Sequence, residues 1–307
     1  YKIPLLECGT LGTKGNIQVV IPNLTETYGS SFDPPEKSIP MCTLKNFPYL
    51  PEHAIQWSRD LFEGLFTQWP TLFKCYIENP NTIYNDRGQI NADKIKIMND
   101  ALKIGERFSF VDCIKWAKDL AQKYFSNEIK QLTYCFPKDK ITSHGLLFWS
   151  GTKRFPKPVD FDAIQKQSNH PLYDLYKSFI ISASKLRASN FGLHCNLTDD
   201  DLIHHSCAFE IFEFEPRANY KVATTDSEIQ AQKNVDDFDI HDFNNESYHK
   251  NLIEYINDFS IVLSDTVFEK DKDENYHIEF VYAASNLRSY NYGIELSDRL
   301  KVLITSY

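Results

Sequence analysis

Apolar residues recur at helical spacing along most of the chain, and this periodicity restricts the fold to a mainly helical one. After Pro51 the spacing predicts an amphipathic helix, because Pro51 suits a first helical turn and the apolar positions fall on one face. The same periodicity appears between Pro171 and Gly192 and again after Asn275. The predicted inward faces carry Ala54, Trp57, Leu61, Phe62, Leu65 and Phe66, then Leu172, Leu175, Tyr176, Phe179, Ile180, Ala183 and Leu186, then Ile278, Val281, Tyr282 and Ser285.

Polar residues that favour helix starts stand before further apolar stripes. Asn91 can accept a hydrogen bond from a first-turn amide, and Ser109 with Asp112 and Thr198 with Asp201 have the spacing of capping boxes. They predict three more helices. The helix after Asn91 is predicted to bury Ile95, Met98, Ala101 and Leu102, and the helix after Ser109 to bury Cys113, Trp116, Ala117, Leu120, Ala121 and Tyr124.

The ends of the chain follow other patterns. Residues 17–21 form a β-branched run that ends at Pro22, which predicts a strand with too few neighbours for a sheet, and Gly9, Gly12 and Gly15 before it indicate a glycine-rich turn. Residues 234–251 are rich in Asn and Asp and favour a surface loop or a short helix. The sequence shows no evident internal repeat. The pattern predicts an α+β, mainly α-helical fold in which one domain is inserted in another.

Composition excludes some function classes. The 42 acidic and 33 basic side chains give a net charge of −9, which disfavours a nucleic-acid backbone as partner. Apolar runs stay far below the 18 or so residues of a bilayer span, so we expect no membrane partner. The seven cysteines form an odd number without a dense framework, which favours reduced thiols in an intracellular compartment.

One cysteine stands in an unusual local sequence. Cys42 lies between Pro40 and Pro48 and is followed by Thr43 and Lys45. Prolines stiffen the approach of the chain, a hydroxyl can donate a hydrogen bond, and an ammonium favours the thiolate over the thiol. A free thiol with a pKa of about 8.5 is only slightly ionised at neutral pH, so such neighbours would increase its nucleophilicity. Cys42 is therefore the candidate nucleophile.

The segment around Cys42 resembles the active-site segment of the eukaryotic ubiquitin-activating enzymes. The resemblance rests on Lys-Ser-Ile-Pro-Met-Cys-Thr-Leu-Lys-Asn-Phe-Pro over residues 37–48, and it continues at separated places along the chain. These are residues 5–16, 18–22, 33–37, 148–151 with 153–154, 268–271, 283–288 and 291–292. Matches in this order and spacing over nearly the whole chain are highly specific. Cys8 departs from the family's usual serine, and residues 302–307 do not follow the helix expected for the family.

The resemblance implies an architecture. Residues 31–262 would be the second catalytic cysteine half-domain, inserted in a Rossmann-like adenylation domain of the ThiF/MoeB type. Residues 1–30 and 263–307 would be flanks of that adenylation domain, and the chain is expected to be part of a longer protein. ATP and Mg²⁺ would belong to the parent enzyme and bind mostly outside this chain, so no cofactor and no metal ion is expected here. The family is cytoplasmic and nuclear, which we expect of this protein also.

The resemblance also implies a reaction. The Cys42 thiolate would accept the C-terminal acyl group of ubiquitin from ubiquitin adenylate as a thioester and pass it to the cysteine of a ubiquitin-conjugating enzyme. We hypothesise that Lys45 supplies positive charge and that Thr43 hydrogen-bonds near the sulfur or the oxyanion. Asp226 resembles a family position whose acid lies beside the cysteine, and it could orient Lys45 or the incoming thiol. Each of these three residues could equally be an ordinary surface residue.

Two other functions remain open at this point. A cysteine protease or deubiquitinase would also use Cys42 but needs a histidine base, and no histidine shows such a pairing in the sequence. A non-catalytic helical module that binds ubiquitin-like proteins would not need a reactive thiol. The glycines near residue 12 precede a strand rather than open a helix, which disfavours a phosphate-binding loop. The histidines and cysteines of residues 194–207 match no common zinc spacing.

Overall fold

A β-hairpin begins the chain, and helices make up the rest of the regular structure among the described residues of this computed structural model. The structure describes residues 2–11, 14–30, 39–85, 88, 90–91, 94–95, 97–98, 109–167, 169–210, 213–233, 245–258 and 262–306. The mainly helical α+β class predicted from the sequence is confirmed. No helix within these residues is both long and apolar enough to cross a bilayer.

The hairpin corrects the prediction of a strand without a partner. Strand β1 (Leu5–Leu11) pairs antiparallel with β2 (Lys14–Val20), and Leu5 lies opposite Val20. Gly9 and Gly15, which the sequence analysis placed in a turn, are ladder positions opposite Asn16 and Thr10. The predicted strand thus has one antiparallel partner within the described residues. Gly12 lies outside the described residues.

The helices follow in chain order. They are α1 (Met41–Lys45), α2 (Pro51–Phe62), α3 (Trp69–Glu78), α4 (Phe110–Gln122), α5 (Glu128–Cys135), α6 (Phe161–Lys166), α7 (Tyr173–Asn190), α8 (Asp199–Ala208), α9 (Asp226–Lys233), α10 (Asn245–Asp258), α11 (His277–Asn291) and α12 (Arg299–Thr305). Wider π-helical turns at Glu63–Gln68 and Lys123–Asn127 connect α2 to α3 and α4 to α5.

The predicted helix starts are confirmed. Asp112 accepts a hydrogen bond from the backbone N–H of Ser109, and Asp201 does the same for Thr198, which completes two capping boxes. Asn91 accepts a hydrogen bond from the Lys94 N–H at 3.2 Å. The buried Ile95 and Met98 are helical, as predicted, whereas Ala101 and Leu102 lie outside the described residues.

Two segments are more helical than the sequence suggested. Residues 245–251, read as loop or short helix, open the 14-residue α10, which buries Leu252. Residues 234–244 lie outside the described part of the chain. The C-terminal residues, which do not follow the family helix in sequence, nevertheless form α12. Asp298 caps it by accepting from the Lys301 N–H at 2.7 Å, and its Val302 is fully buried.

The main core forms between α2, α4, α7 and α11. Their apolar faces meet in a cluster of aromatic rings, in which Phe179 of α7 and Phe280 of α11 lie 5.4 Å apart. The division of the chain near residues 30 and 263 stays a prediction. Within the structure, however, α11 packs in this core against α2 and α7, together with residues assigned to the inserted domain.

This core contains an internal repeat that the sequence analysis missed. Residues 55–66 (IQWSRDLFEGLF) resemble residues 114–125 (IKWAKDLAQKYF), and residues 183–192 (ASKLRASNFG) resemble residues 284–293 (ASNLRSYNYG). Equivalent contacts accompany the equivalent residues. Trp57 meets Phe125 at 5.9 Å and Trp116 meets Phe66 at 6.0 Å, between ring centroids. The α2/α11 and α4/α7 pairs are therefore related by approximate two-fold symmetry.

The π-helical turns attach the long connections to this core. In each turn one carbonyl accepts a backbone N–H from a distant loop. The Phe66 carbonyl accepts the Thr266 N–H, and the Phe125 carbonyl accepts the Val159 N–H, each at 2.9 Å. A wide turn leaves carbonyls without their usual helical donor, so they can accept from elsewhere. The side chains that end α7 and α11 donate to the same two carbonyls: Asn190 to Phe66 and Asn291 to Phe125, each at 2.9 Å.

Asn190 gives a test of this arrangement. Its fully buried amide also donates to the Ser264 carbonyl at 2.8 Å and to Thr266 Oγ1 at 3.1 Å, so Asn190→Ala removes buried hydrogen bonds that tie α7 to the loop. We expect the free energy of unfolding to fall by roughly 2–3 kcal/mol in chemical denaturation. Asn219→Ala, at an exposed turn position, is the matched control and should change it by less than about 0.5 kcal/mol. Equal effects of the two substitutions would contradict this role.

Candidate functional site

Cys42 lies in the first turn of α1, a helix of five residues. The residue before this helix is Pro40, whose side chain cannot accept a hydrogen bond from a first-turn amide. Asp226 supplies the missing acceptor from a distant part of the chain: its Oδ1 accepts the Cys42 backbone N–H at 2.8 Å. Asp226 thus acts as an N-terminal cap for a helix to which it does not belong.

Asp226 is held in place by the start of its own helix, α9. Thr225 Oγ1 accepts the Glu228 N–H at 3.3 Å, and Glu228 Oε2 accepts the Thr225 N–H at 3.3 Å and the Thr224 N–H at 2.6 Å. These contacts keep the pKa of Glu228 below its ordinary value. The Thr-x-x-Glu spacing is a helix-start signal that the sequence analysis did not use, and it would have placed Asp226 in a first helical turn.

The opposite end of α1 is held by α11. Arg288 Nη2 donates to the Leu44 carbonyl at 2.9 Å and also to the Lys45 carbonyl, and the Tyr292 hydroxyl donates to the Asn46 carbonyl at 2.9 Å. The last carbonyls of a helix have no partner within it, so these donors complete its C-terminal end. Arg288 of α11 and Tyr292, the residue directly after this helix, are both almost completely buried, and the Arg288 guanidinium lies 4.0 Å from the Trp57 ring centroid.

Residues after α1 fasten it to two further segments. The Asn46 amide donates to the Ala223 carbonyl at 2.8 Å, close in sequence to Asp226. The buried Phe47 packs edge-on against Phe148 and Trp149, at 5.7 and 6.0 Å between ring centroids. These two rings belong to residues 148–151, one of the segments that carry the family resemblance. This segment therefore packs against the residues that follow α1.

The Cys42 thiol is less acidic than the sequence suggested. Partial burial, followed by a hydrogen bond to Asp226 and the negative charge of that carboxylate, raises the pKa of Cys42 above its ordinary value. Hydrogen bonds from Thr43 act in the opposite direction and are the weaker influence. The arrangement therefore favours the protonated thiol at rest, with a carboxylate beside it that can accept its proton.

The structure brings three of the four predicted site residues together. Asp226 accepts the Cys42 backbone N–H, and Thr43, the next residue in α1, acts with Asp226 on the pKa of the Cys42 thiol. Lys45 is exposed on the same helix, and its ammonium acts electrostatically on the Glu128 carboxylate. It is not among the groups that shift the pKa of the Cys42 thiol. The roles assigned to these residues stay predictions.

The sequence analysis missed Arg288, Tyr292 and Asn46 as parts of the site. Arg288 and Tyr292 were noted only as members of the resembling motifs. The internal repeat is the signal that could have drawn attention to them, since the equivalent of Tyr292 is Phe191, which lacks a hydroxyl. A tyrosine in place of a phenylalanine in an otherwise similar motif indicates a hydrogen bond that one half of the repeat makes alone.

A nucleotide or metal site does not fit the residues described here. Gly9 and Gly15 lie in a hairpin ladder instead of opening a helix. Among the residues with described positions, no three His, Cys, Asp or Glu side chains are grouped as metal ligands would be. We therefore derive no chemical step through ATP or Mg²⁺ at these residues.

Comparison with known proteins gives the chain a family. The family model described as "Ubiquitin-activating enzyme, SCCH domain" matches residues 48–303. The chain is similar to "Ubiquitin-activating enzyme E1 1" of Candida albicans, with 43% identity, and of Schizosaccharomyces pombe, with 41% identity. It is 39% identical to "Ubiquitin-like modifier-activating enzyme 1" of Homo sapiens.

These three similarities cover 98% of the chain but only 28–29% of each relative's length. The chain thus corresponds to a fragment of those longer proteins. The family match begins at Pro48, a few residues after Cys42, whereas the similarity to the relatives extends over nearly all of the chain. Together these matches show that the chain belongs to the SCCH-domain family of ubiquitin-activating enzymes.

Proposed function

We propose that this chain is the part of an ATP-dependent ubiquitin-activating enzyme in which Cys42 accepts ubiquitin as a thioester. The observation that carries the proposal is the group formed by Cys42, Thr43 and Asp226, a partly exposed thiol in a first helical turn with a carboxylate beside it. Similarity to ubiquitin-activating enzymes along 98% of the chain supports it. The adenylate would be formed elsewhere in the parent protein, whose location we propose is cytoplasmic and nuclear.

The proposed step is an acyl transfer. The Cys42 sulfur attacks the C-terminal carbonyl carbon of ubiquitin adenylate, a carbon–sulfur bond forms, and the bond from that carbon to the phosphate oxygen breaks, so that AMP leaves. The thiol proton passes to the Asp226 carboxylate, which accepts the Cys42 backbone N–H and raises the pKa of this thiol. Transfer to a conjugating enzyme repeats the exchange: its cysteine thiolate attacks the thioester, and Cys42 leaves as a thiolate and regains a proton.

The raised pKa of Cys42 suits the first exchange, in which Cys42 attacks, rather than the second, in which it leaves. A thiol with a higher pKa is a poorer leaving group but a more nucleophilic thiolate once it has lost its proton. A carboxylate at the thiol can therefore promote attack by removing the proton and can return it when Cys42 is released. Thr43, which lowers the pKa of the Cys42 thiol, is proposed to orient the sulfur. Lys45 is exposed and is not among the groups that shift this pKa, so it is proposed to act on an incoming protein surface instead of on the thiol.

The protease alternative is not supported by the residues around Cys42. A cysteine protease requires a histidine hydrogen-bonded to the nucleophile. Among the described residues, the side chains that shift the pKa of Cys42 are Asp226 and Thr43, and no histidine is one of them. His53, the histidine nearest to Cys42 in sequence, packs instead on Tyr49 at 4.5 Å between ring centroids.

Cys42→Ala in the full-length parent enzyme tests the proposed function. We expect ATP–pyrophosphate exchange to persist, since adenylation does not need this thiol, while the ubiquitin adduct that thiols can reduce disappears. Cys42→Ser should form an adduct that resists thiols, because an oxygen ester replaces the thioester. Cys75→Ala, at an exposed cysteine in α3, is the control and should behave as the wild type. Persistence of the reducible adduct in Cys42→Ala would overturn the proposal.

Asp226→Asn tests the role of the carboxylate. Removing its charge should lower the pKa of Cys42 toward its ordinary value, so alkylation of Cys42 near pH 7.5 should accelerate about threefold to tenfold. Thioester formation in the parent enzyme should nevertheless slow, because the proton acceptor is lost. Mass spectrometry of the Cys42 peptide measures alkylation against pH, with Lys45→Gln as a charge-changing control that leaves the profile unchanged. Slower alkylation in Asp226→Asn would contradict this role.

A further inference from the structure

The buried Arg288 has no part in the proposed acyl transfer, yet it contacts the helix that carries Cys42. Its side chain is 1% exposed, and burial lowers the pKa of the guanidinium. A charged group leaves water only where hydrogen bonds and an aromatic face replace its hydration. Here the replacements are the Trp57 ring and the carbonyls of Leu44 and Lys45.

We propose that Arg288 is a positioning residue for Cys42. By holding the C-terminal carbonyls of α1, it fixes the orientation of the helix and so keeps the Cys42 thiol beside Asp226. Tyr292, the residue directly after α11, assists through its hydrogen bond to the Asn46 carbonyl. The link to thioester formation rests on the proposed function, whereas the effect on the thiol itself does not.

The length of α1 explains why it needs such support. The first turn of a helix is costly to form, and a five-residue helix gains too few internal hydrogen bonds to offset this cost. At the N-terminal end of α1, the Cys42 N–H donates a hydrogen bond to the Asp226 carboxylate. This carboxylate is exposed, so water competes for the same hydrogen bond. At its C-terminal end the donors are buried, where hydrogen bonds are electrostatically stronger. The C-terminal end is therefore the fixed point.

The internal repeat separates this role from ordinary core packing. Arg187 occupies the position equivalent to Arg288, and its guanidinium lies 4.8 Å from the Trp116 ring centroid, as that of Arg288 lies over Trp57. A buried arginine on a tryptophan is thus common to both halves. Donation to α1 by Arg288 and by the Tyr292 hydroxyl distinguishes the half that carries Cys42, since Phe191 replaces Tyr292 in the other half.

Three variants of the chain test the proposal through the pH dependence of Cys42 alkylation. Arg288→Lys and Tyr292→Phe remove donors to α1, and Arg187→Lys is the matched control in the other half of the repeat. We expect the rise of Cys42 alkylation with pH to shift to lower pH in Arg288→Lys, with a rate near pH 7.5 about threefold to tenfold above wild type. Tyr292→Phe should shift it less, and Arg187→Lys should not shift it, even if its thermal stability falls.

A double variant tests whether Arg288 acts through the Asp226 contact. Adding Asp226→Asn to Arg288→Lys should accelerate alkylation little further, because the first change already separates the thiol from the carboxylate. Additive effects would contradict this coupling. In the parent enzyme, Arg288→Lys should slow thioester formation and leave ATP–pyrophosphate exchange intact.

Other results would overturn the positioning role. A wild-type alkylation profile in both Arg288→Lys and Tyr292→Phe would do so, and so would an equal shift in Arg187→Lys, which would indicate general loosening of the core. If Arg288→Lys does not fold, Tyr292→Phe decides the question. Absence of a ubiquitin adduct on Cys42 of the wild-type parent enzyme would contradict the proposed function and leave the alkylation results, and this inference, intact.

Discussion

A helix of five residues cannot hold its own position, and the candidate site depends on how the rest of the chain solves this problem. The amides and carbonyls of α1 find partners on elements that are distant in sequence: Asp226 at the N-terminal end and Arg288 with Tyr292 at the C-terminal end. The environment of the Cys42 thiol therefore depends on Asp226, Arg288 and Tyr292, which are all far from Cys42 in the sequence.

The core provides a rigid base because its two halves repeat the same contacts. In each half an arginine lies over a tryptophan, and an asparagine at the end of a long helix donates to the open carbonyl of a π-helical turn. The asparagine amides donate to specific buried carbonyls, which favours one arrangement of the helices. The half that contains Arg288 also supports α1. It differs from the other half in the hydroxyl of Tyr292, which the equivalent Phe191 lacks.

The electrostatics of the site favour a Cys42 thiol that stays protonated until it reacts, instead of a permanently ionised thiolate. Asp226 both caps α1 and raises the pKa of Cys42, so one carboxylate links the geometry of the helix to the protonation of the sulfur. A helix N-terminus by itself would lower the pKa of a cysteine in its first turn. The carboxylate and partial burial outweigh this influence here. Loss of the Asp226 contact would at once free the helix end and make the thiol more acidic.

The sequence by itself determined the helical class, most helix starts, the candidate nucleophile and the family resemblance, because periodicity, capping residues and contiguous motifs are local signals. It also drew attention to Asp226 by likeness, but not to the contact that Asp226 makes. The contacts between distant elements were needed to show that Lys45 does not shift the pKa of Cys42, that the thiol is less acidic than usual, and that Arg288 and Tyr292 donate to the C-terminal end of α1. The physical reason is that burial and pKa depend on which distant groups share a small volume, and hydrogen bonds between elements far apart in the chain leave no local pattern.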